Sequence, residues 1–198
     1  MSFKYPLATA TWNQKEIDAM HNVISSGNFT MGEKVDLFER NFLKYIGSQH
    51  AVMVNSGSSA NLLMIAALFY TKNPKLKLKR GDEVIVPAVS WSTTYYPLYQ
   101  YGLKIKFVDI DIETLNYDLV QLELAISTKT RVVLAVNLLG NSNDFDFINK
   151  VIQDKNIILL EDNCESMGAT FNNKKTGTFG VMGTFSSFYS HHISTMEG

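Results

Sequence analysis

The chain has 198 residues, 45% of them apolar and 19% charged, with a formal net charge of −1. That length suits one domain with a core of decent size, and a near-neutral balance without a Lys/Arg cluster excludes an electrostatic nucleic-acid binder. One cysteine, Cys164, excludes an internal disulfide framework and fits a reducing compartment.

The first residues, Met1-Ser2-Phe3-Lys4-Tyr5-Pro6, carry no apolar h-region, so no secretion signal is expected there and a cytoplasmic location is. The longest apolar run, 62–70, is shorter than the roughly 20 residues a membrane span needs. Asn13 can cap a first helix with Glu16 as its capping-box partner, and Ile17, Met20 and Ile24 then share one face. Ser26-Gly27-Asn28 stops it. A second helix starts near Gly32-Glu33, carries the stripe Val35, Phe38, Phe42 and Tyr45, and ends at Gly47.

Beyond Gly47 the pattern changes. Short continuous apolar runs at 51–54, 83–86, 105–108, 132–136 and 157–160 read as strands. They alternate with helical stretches at 60–70, 91–101, 117–126 and 145–153. The basic piece from Lys75 to Arg80 reads as a solvated loop. Continuous apolar strands are those covered on both faces, and their alternation with helices predicts an α/β fold with a mostly parallel sheet flanked by helices. In such sheets ligands gather beyond the carboxyl ends of the strands.

Several chemical candidates fall at those ends. Ser56-Gly57-Ser58-Ser59 joins a strand to a helix, where free amides and the helix dipole can hold an anion; the plainer reading is a strand-to-helix turn with Ser58 or Ser59 as the N-cap. It is neither a Walker loop nor a dinucleotide fingerprint, since it lacks the lysine and the glycine spacing. Asp162 follows the 157–160 strand. A buried carboxylate there needs a positive partner, and a protonated pyridine nitrogen is one; the alternative is a turn cap. Trp91, in Trp91-Ser92-Thr93-Thr94-Tyr95-Tyr96, can stack on a flat ring or simply belong to the core. Near the end, a strand leads into His191-His192, and no lysine follows Lys175. His21 and His50 read as ordinary surface residues.

Taken together these residues carry a resemblance. Gly32-Glu33-Lys34-Val35, Asn55-Ser56-Gly57-Ser58-Ser59-Ala60, Gly81-Asp82-Glu83-Val84-Ile85-Val86-Pro87, Phe107-Val108-Asp109-Ile110-Asp111, Glu161-Asp162-Asn163-Cys164-Glu165 and the stretch from Ser186 to Gly198 occur in this order and spacing. The chain resembles the N-terminal half of the sugar-nucleotide aminotransferase family (the DegT/DnrJ/StrS group), which has the aspartate-aminotransferase fold and uses pyridoxal 5'-phosphate. The resemblance implies that residues 1–198 are an N-terminal segment plus most of the cofactor-binding large domain, with the small C-terminal domain outside this stretch. It departs from the family at one place. Six residues before Glu197, where the family has its Schiff-base lysine, stands His191.

That exchange resembles the branch of sugar 3-dehydratases. It implies removal of the C3 hydroxyl from GDP-4-keto-6-deoxy-D-mannose, on the route to the 3,6-dideoxyhexose colitose of lipopolysaccharide O-antigen. Pyridoxamine 5'-phosphate is the working form, and glutamate restores its amine. His191 is then the catalytic acid/base, near its ordinary range. Gly57 and Ser58 hold the cofactor phosphate through backbone amides, with Ser186 adding its hydroxyl. Trp91 stacks on the ring, Asp162 pairs with the pyridine nitrogen, and Glu165 contacts the cofactor O3' or the substrate. His192 points away from the ring. No metal is expected. A relative acting on a CDP-glucose derivative also needs an iron–sulfur cluster, which one cysteine disfavours. The family implies a homodimer with shared active sites, with no nucleic-acid or membrane partner. Two alternatives stay open at this point: a perosamine-type aminotransferase, and a truncated or purely dimer-forming piece.

Overall fold

Helix α1 (Gln14–Ser26) starts where the sequence offers its cap. Asn13 accepts from the Lys15 amide at 2.8 Å, and its own amide donates to Glu16 Oε2 at 2.7 Å. Helix α2 (Glu33–Ile46) follows, and Gly27 and Gly47 end the two helices at φ +67° and +88°, the left-handed turn that glycine adopts without a Cβ penalty. A computed structural model describes residues 12–195, and the chain divides into two compact units between Met53 and Val54. The expected turn at Glu197-Gly198 lies outside the described residues, as do the first six residues.

Residues 51–54 form no strand, contrary to their apolar composition. A strand is defined by a ladder partner, and here the Met53 amide instead donates to the Glu39 carboxylate at 2.7 Å. An apolar run alone does not specify pairing.

The second unit holds a sheet of five strands, all parallel, in the order β2-β1-β3-β4-β7. The strands are β1 (Glu83–Pro87), β2 (Lys104–Val108), β3 (Thr130–Val136), β4 (Ile158–Asp162) and β7 (Met182–Thr184). Helices α3 (Gly57–Tyr70), α4 (Ser92–Gln100), α5 (Leu119–Ala125) and α6 (Phe145–Ile152) cover it. A small antiparallel hairpin, β5 (Thr170–Phe171) with β6 (Lys174–Lys175), was not anticipated by the pattern. Tyr117 was expected inside a helix. It instead bridges to Ile110 and buries its ring, with its hydroxyl donating to Leu134 O at 2.7 Å, and α5 begins only after the Asp118 cap.

Period-2 alternation decides what each face meets. Val84, Val86, Val132, Leu134 and Leu160 pack with Met64, Leu68 and Leu98 from α3 and α4. Ile85, Val133, Ala135 and Leu159 pack with Leu122, Phe145 and Ile148 from α5 and α6. The same alternation separates two adjacent acids at the end of β4. Asp162 continues the Leu160 face toward α3 and α4. Glu161 continues the Leu159 face and is fully buried.

Glu161 fastens the segment that leads into β7. Its carboxylate accepts from the amides of Gly177 at 2.6 Å, Phe179 at 2.6 Å and Gly180 at 2.7 Å. Burial pushes its carboxyl above the ordinary range, and the three amides and Lys174 pull it partly back. Glu161→Ala would orphan three donors, at about 1–3 kcal/mol each for a buried group. The expected loss is about 3–5 kcal/mol of unfolding free energy in a urea titration; a loss under about 1 kcal/mol would mean that water reaches these amides.

Candidate active site

The carboxyl ends of β1, β3, β4 and β7 lie level, with Val136, Asp162 and Thr184 in register. The sheet order reverses at β1, with β2 on one side and β3 on the other; such a switch point leaves a crevice outside the strand ends. A cavity of about 180 Å³ opens there. It is bounded by the start of α3, the start of α4, the loop after β3 and the turn after β7.

One end of the cavity is built for an anion. Ser56, not Ser58 or Ser59, caps α3, because its side chain reaches forward to accept from the Ser59 amide at 3.1 Å. The amides of Gly57 and Ser58 belong to the first turn, whose N–H groups have no intrahelical acceptor. Ser186 lies beside them, its hydroxyl accepting from the Phe188 amide at 3.2 Å. A Cβ on Gly57 would sit 2.7 Å from Ser186 Cβ and 2.8 Å from Cys164 Sγ, so glycine is what lets the helix start this close to the β7 turn. These features fit a phosphate group.

Asp162 lies at the floor, 4% exposed. Its Oδ2 accepts from Asn61 Nδ2 at 2.9 Å and from the Thr94 hydroxyl at 2.8 Å, and its Oδ1 accepts from the Cys164 amide at 3.2 Å. All three donors are neutral. A buried carboxylate held only by neutral donors is suited to a cationic partner arriving from the cavity, and a protonated ring nitrogen fits it. Burial, with Asp162 beside it, pushes the Cys164 thiol well above its ordinary range, so it stays protonated and inert at neutral pH.

His191 lines the same cavity. Its amide donates to Phe188 O at 2.8 Å, and its ring stands edge-on to Phe188 at 5.9 Å. Burial lowers its imidazole below the ordinary value of 6.5; the Glu165 and Asp162 carboxylates oppose that, and His192 adds to it. Glu165 is itself tied down, accepting from the Leu139 amide at 3.3 Å. Leu139 takes φ +52° in the loop after β3, a strained conformation for a branched residue.

Gly57, Ser58, Trp91, Asp162, Glu165, Ser186 and His191, far apart in sequence, line this one cavity together with Ser56. Trp91 is 71% exposed at the rim, so it is not a core aromatic. His192 is exposed and outside the lining; His21 and His50 are exposed as well. The sequence reading missed Asn61 and Thr94. The signal for Asn61 was available: it is the polar residue that interrupts Ala60-Asn61-Leu62-Leu63-Met64-Ile65. Among the described residues no cluster of three or more His, Cys, Asp or Glu side chains could hold a metal ion.

Comparison with known proteins gives a concordant picture. The model of the DegT/DnrJ/EryC1/StrS aminotransferase family matches residues 11–198. The chain is 67% identical over 194 residues to GDP-4-keto-6-deoxy-D-mannose 3-dehydratase of Escherichia coli O55:H7, covering 98% of this chain and 50% of that protein. It superposes with a TM-score of 0.95 on the E. coli enzyme with bound hydrated PLP, at 66% identity, covering 98% of this chain and 49% of that one. The TM-score is again 0.95, at 66% identity, for a GDP-4-keto-6-deoxymannose-3-dehydratase with a trapped PLP-glutamate geminal diamine, with 98% and 50% covered. The chain thus spans about half the length of the curated relatives it matches.

Proposed function

The chain belongs to the DegT/DnrJ/EryC1/StrS aminotransferase family, and on that premise we propose that it holds pyridoxamine 5'-phosphate in the strand-end cavity and removes the C3 hydroxyl of GDP-4-keto-6-deoxy-D-mannose. The observation that carries the reading is the cavity wall itself: it presents the His191 imidazole and, among the described residues, no lysine. Bound there, the cofactor supplies an amine for the sugar's C4 ketone and an electron-withdrawing ring.

This chain's residues supply the rest. The Gly57 and Ser58 amides and the Ser186 side chain anchor the phosphate. Asp162 holds the ring nitrogen in its protonated form, and Trp91 covers a ring face. His191 would take up one proton at its imidazole and give it to the departing C3 hydroxyl, which would leave as water. One imidazole can do both because it is neutral at the start and cationic after the first transfer. The products would be a 3-deoxy ketone and ammonia, the two electrons of the deoxygenation coming from the amine form of the cofactor, which would end as the aldehyde form and be returned to the amine by glutamate. A lysine at 191 could hold the cofactor covalently and favour amine transfer; an imidazole cannot.

The same reading places the reaction in colitose and O-antigen synthesis, in the cytoplasm, by a homodimer with shared active sites. It is supported by the identity to the named dehydratases and by the lack, among the described residues, of any helix long and apolar enough to cross a membrane. The test incubates the intact protein with pyridoxamine 5'-phosphate, glutamate and the GDP-sugar, followed by mass spectrometry. A 3-deoxy product with released ammonia is expected. A sugar carrying nitrogen at C4 would make the protein an aminotransferase.

A further inference from the structure

The geometry points to Asn61 and Thr94 as positioning residues that aim the Asp162 carboxylate and reserve its charge for the cofactor, an inference that rests on the cofactor reading above. The hydrogen bonds run in one direction. Thr184 Oγ1 donates to Asn61 Oδ1 at 2.6 Å, which fixes which end of the buried amide faces Asp162. Asn61 Nδ2 must then donate to Asp162 Oδ2, at 2.9 Å. Thr94 spends its single hydroxyl proton on the same oxygen at 2.8 Å, so at the 2.8 Å contact with Ser90 the Ser90 hydroxyl is the donor.

The consequence is an asymmetric carboxylate. Each carboxylate oxygen has two lone-pair sites. Both sites on Oδ2 are filled by short bonds. Oδ1 accepts from the Cys164 amide at 3.2 Å, the Cys164 thiol is also hydrogen-bonded to the carboxylate, and Asp162 lines the cavity. Oδ1 is therefore the oxygen left to meet a donor in the cavity, in a direction the rotamer keeps while Oδ2 is held twice. The chemistry of the two donors matters as much as their position. A lysine or arginine at either place would neutralise Asp162 internally and weaken its hold on a ring cation. An amide and a hydroxyl orient the charge without cancelling it.

The experiment compares Asn61→Asp, Thr94→Val, Thr94→Ser and Asp162→Ala with the parent. Three readouts are taken: affinity for pyridoxal 5'-phosphate by absorbance titration, the pH dependence of the bound cofactor's absorbance, and the melting temperature without cofactor. Thr94→Val removes a donor to a charged group at nearly constant shape, and Asn61→Asp sets a second carboxylate against the first. Each is expected to weaken cofactor binding about ten- to a hundredfold and to shift the absorbance–pH profile. Thr94→Ser keeps the donor and is expected to restore both to within about twofold. Parent-like affinity and profile in Asn61→Asp and Thr94→Val, with Asp162→Ala impaired, would overturn the inference and leave the network a structural one. A parent that takes up no cofactor, or an Asp162→Ala variant that binds as the parent does, would overturn the cofactor reading instead.

Discussion

His191→Asn should lower the rate of C3 dehydration by about a hundred- to ten-thousandfold, the usual contribution of a positioned acid/base group. Asparagine is similar in size and polar but does not titrate, so cofactor affinity should stay near the parent's while turnover falls. The pH profile gives the sharper test. Burial holds the His191 imidazole below 6.5, against the pull of Glu165 and Asp162. The unprotonated base is therefore the main form at neutral pH. Activity should be retained as pH falls to 6.5 and be lost only below it, as the imidazole gains its proton. Glu165→Gln removes the first-named opposing carboxylate, so it should move the His191 midpoint lower still, followed by NMR of the ring Cε1–H. An upward move would mean that Glu165 acts on His191 by some route other than its charge.

Asp162→Ala should weaken pyridoxal 5'-phosphate binding by about thirty- to five-thousandfold, since truncating one partner of a buried, hydrogen-bonded charge pair costs about 2–5 kcal/mol. Two effects add in the same direction. The ring loses its counter-charge, and the Asn61 amide and Thr94 hydroxyl lose the acceptor they share. The melting temperature without cofactor should also fall, because those two donors are then buried without a partner. Asp162→Asn separates the effects: it keeps one oxygen for Asn61 and Thr94 and removes the charge. Loss of affinity with a parent-like melting temperature in Asp162→Asn would assign the effect to charge. Absorbance titration and differential scanning fluorimetry measure both.

Glu161 and Asp162 show how far the sequence could be read at the site. Their adjacency at the end of an apolar run already meant that they face opposite sides of the sheet, because side chains alternate along a strand. Which one met the cavity was not legible in the alternation and came only from the family resemblance, since it depended on where α3, α4 and the 177–180 segment pack. The cavity residues could be gathered from the sequence because each sits just past a strand's carboxyl end or a helix start, a local signal. Thr94 could not, and Asn61 showed only as a polar break in an apolar helix, because their role exists only through the carboxylate they hold, 101 and 68 positions away.

The sequence by itself determined the class of the fold. Continuous apolar runs separated by helical stretches leave few arrangements other than a covered parallel sheet, and the substitution of His191 for a lysine was visible without any coordinates. Element positions followed too, within a residue or three at most ends, because periodicity and a cap such as Asn13 act over a few neighbours. Only the tertiary structure decided that 51–54 pairs with no strand, that Tyr117 leaves its helix for the core, and that Thr184, Asn61, Asp162 and Thr94 form one directed chain. The physical reason is common to all three. Periodicity and capping are short-range properties of the chain, whereas a ladder partner, a burial site and the acceptor for a buried hydroxyl are supplied by residues far away in sequence.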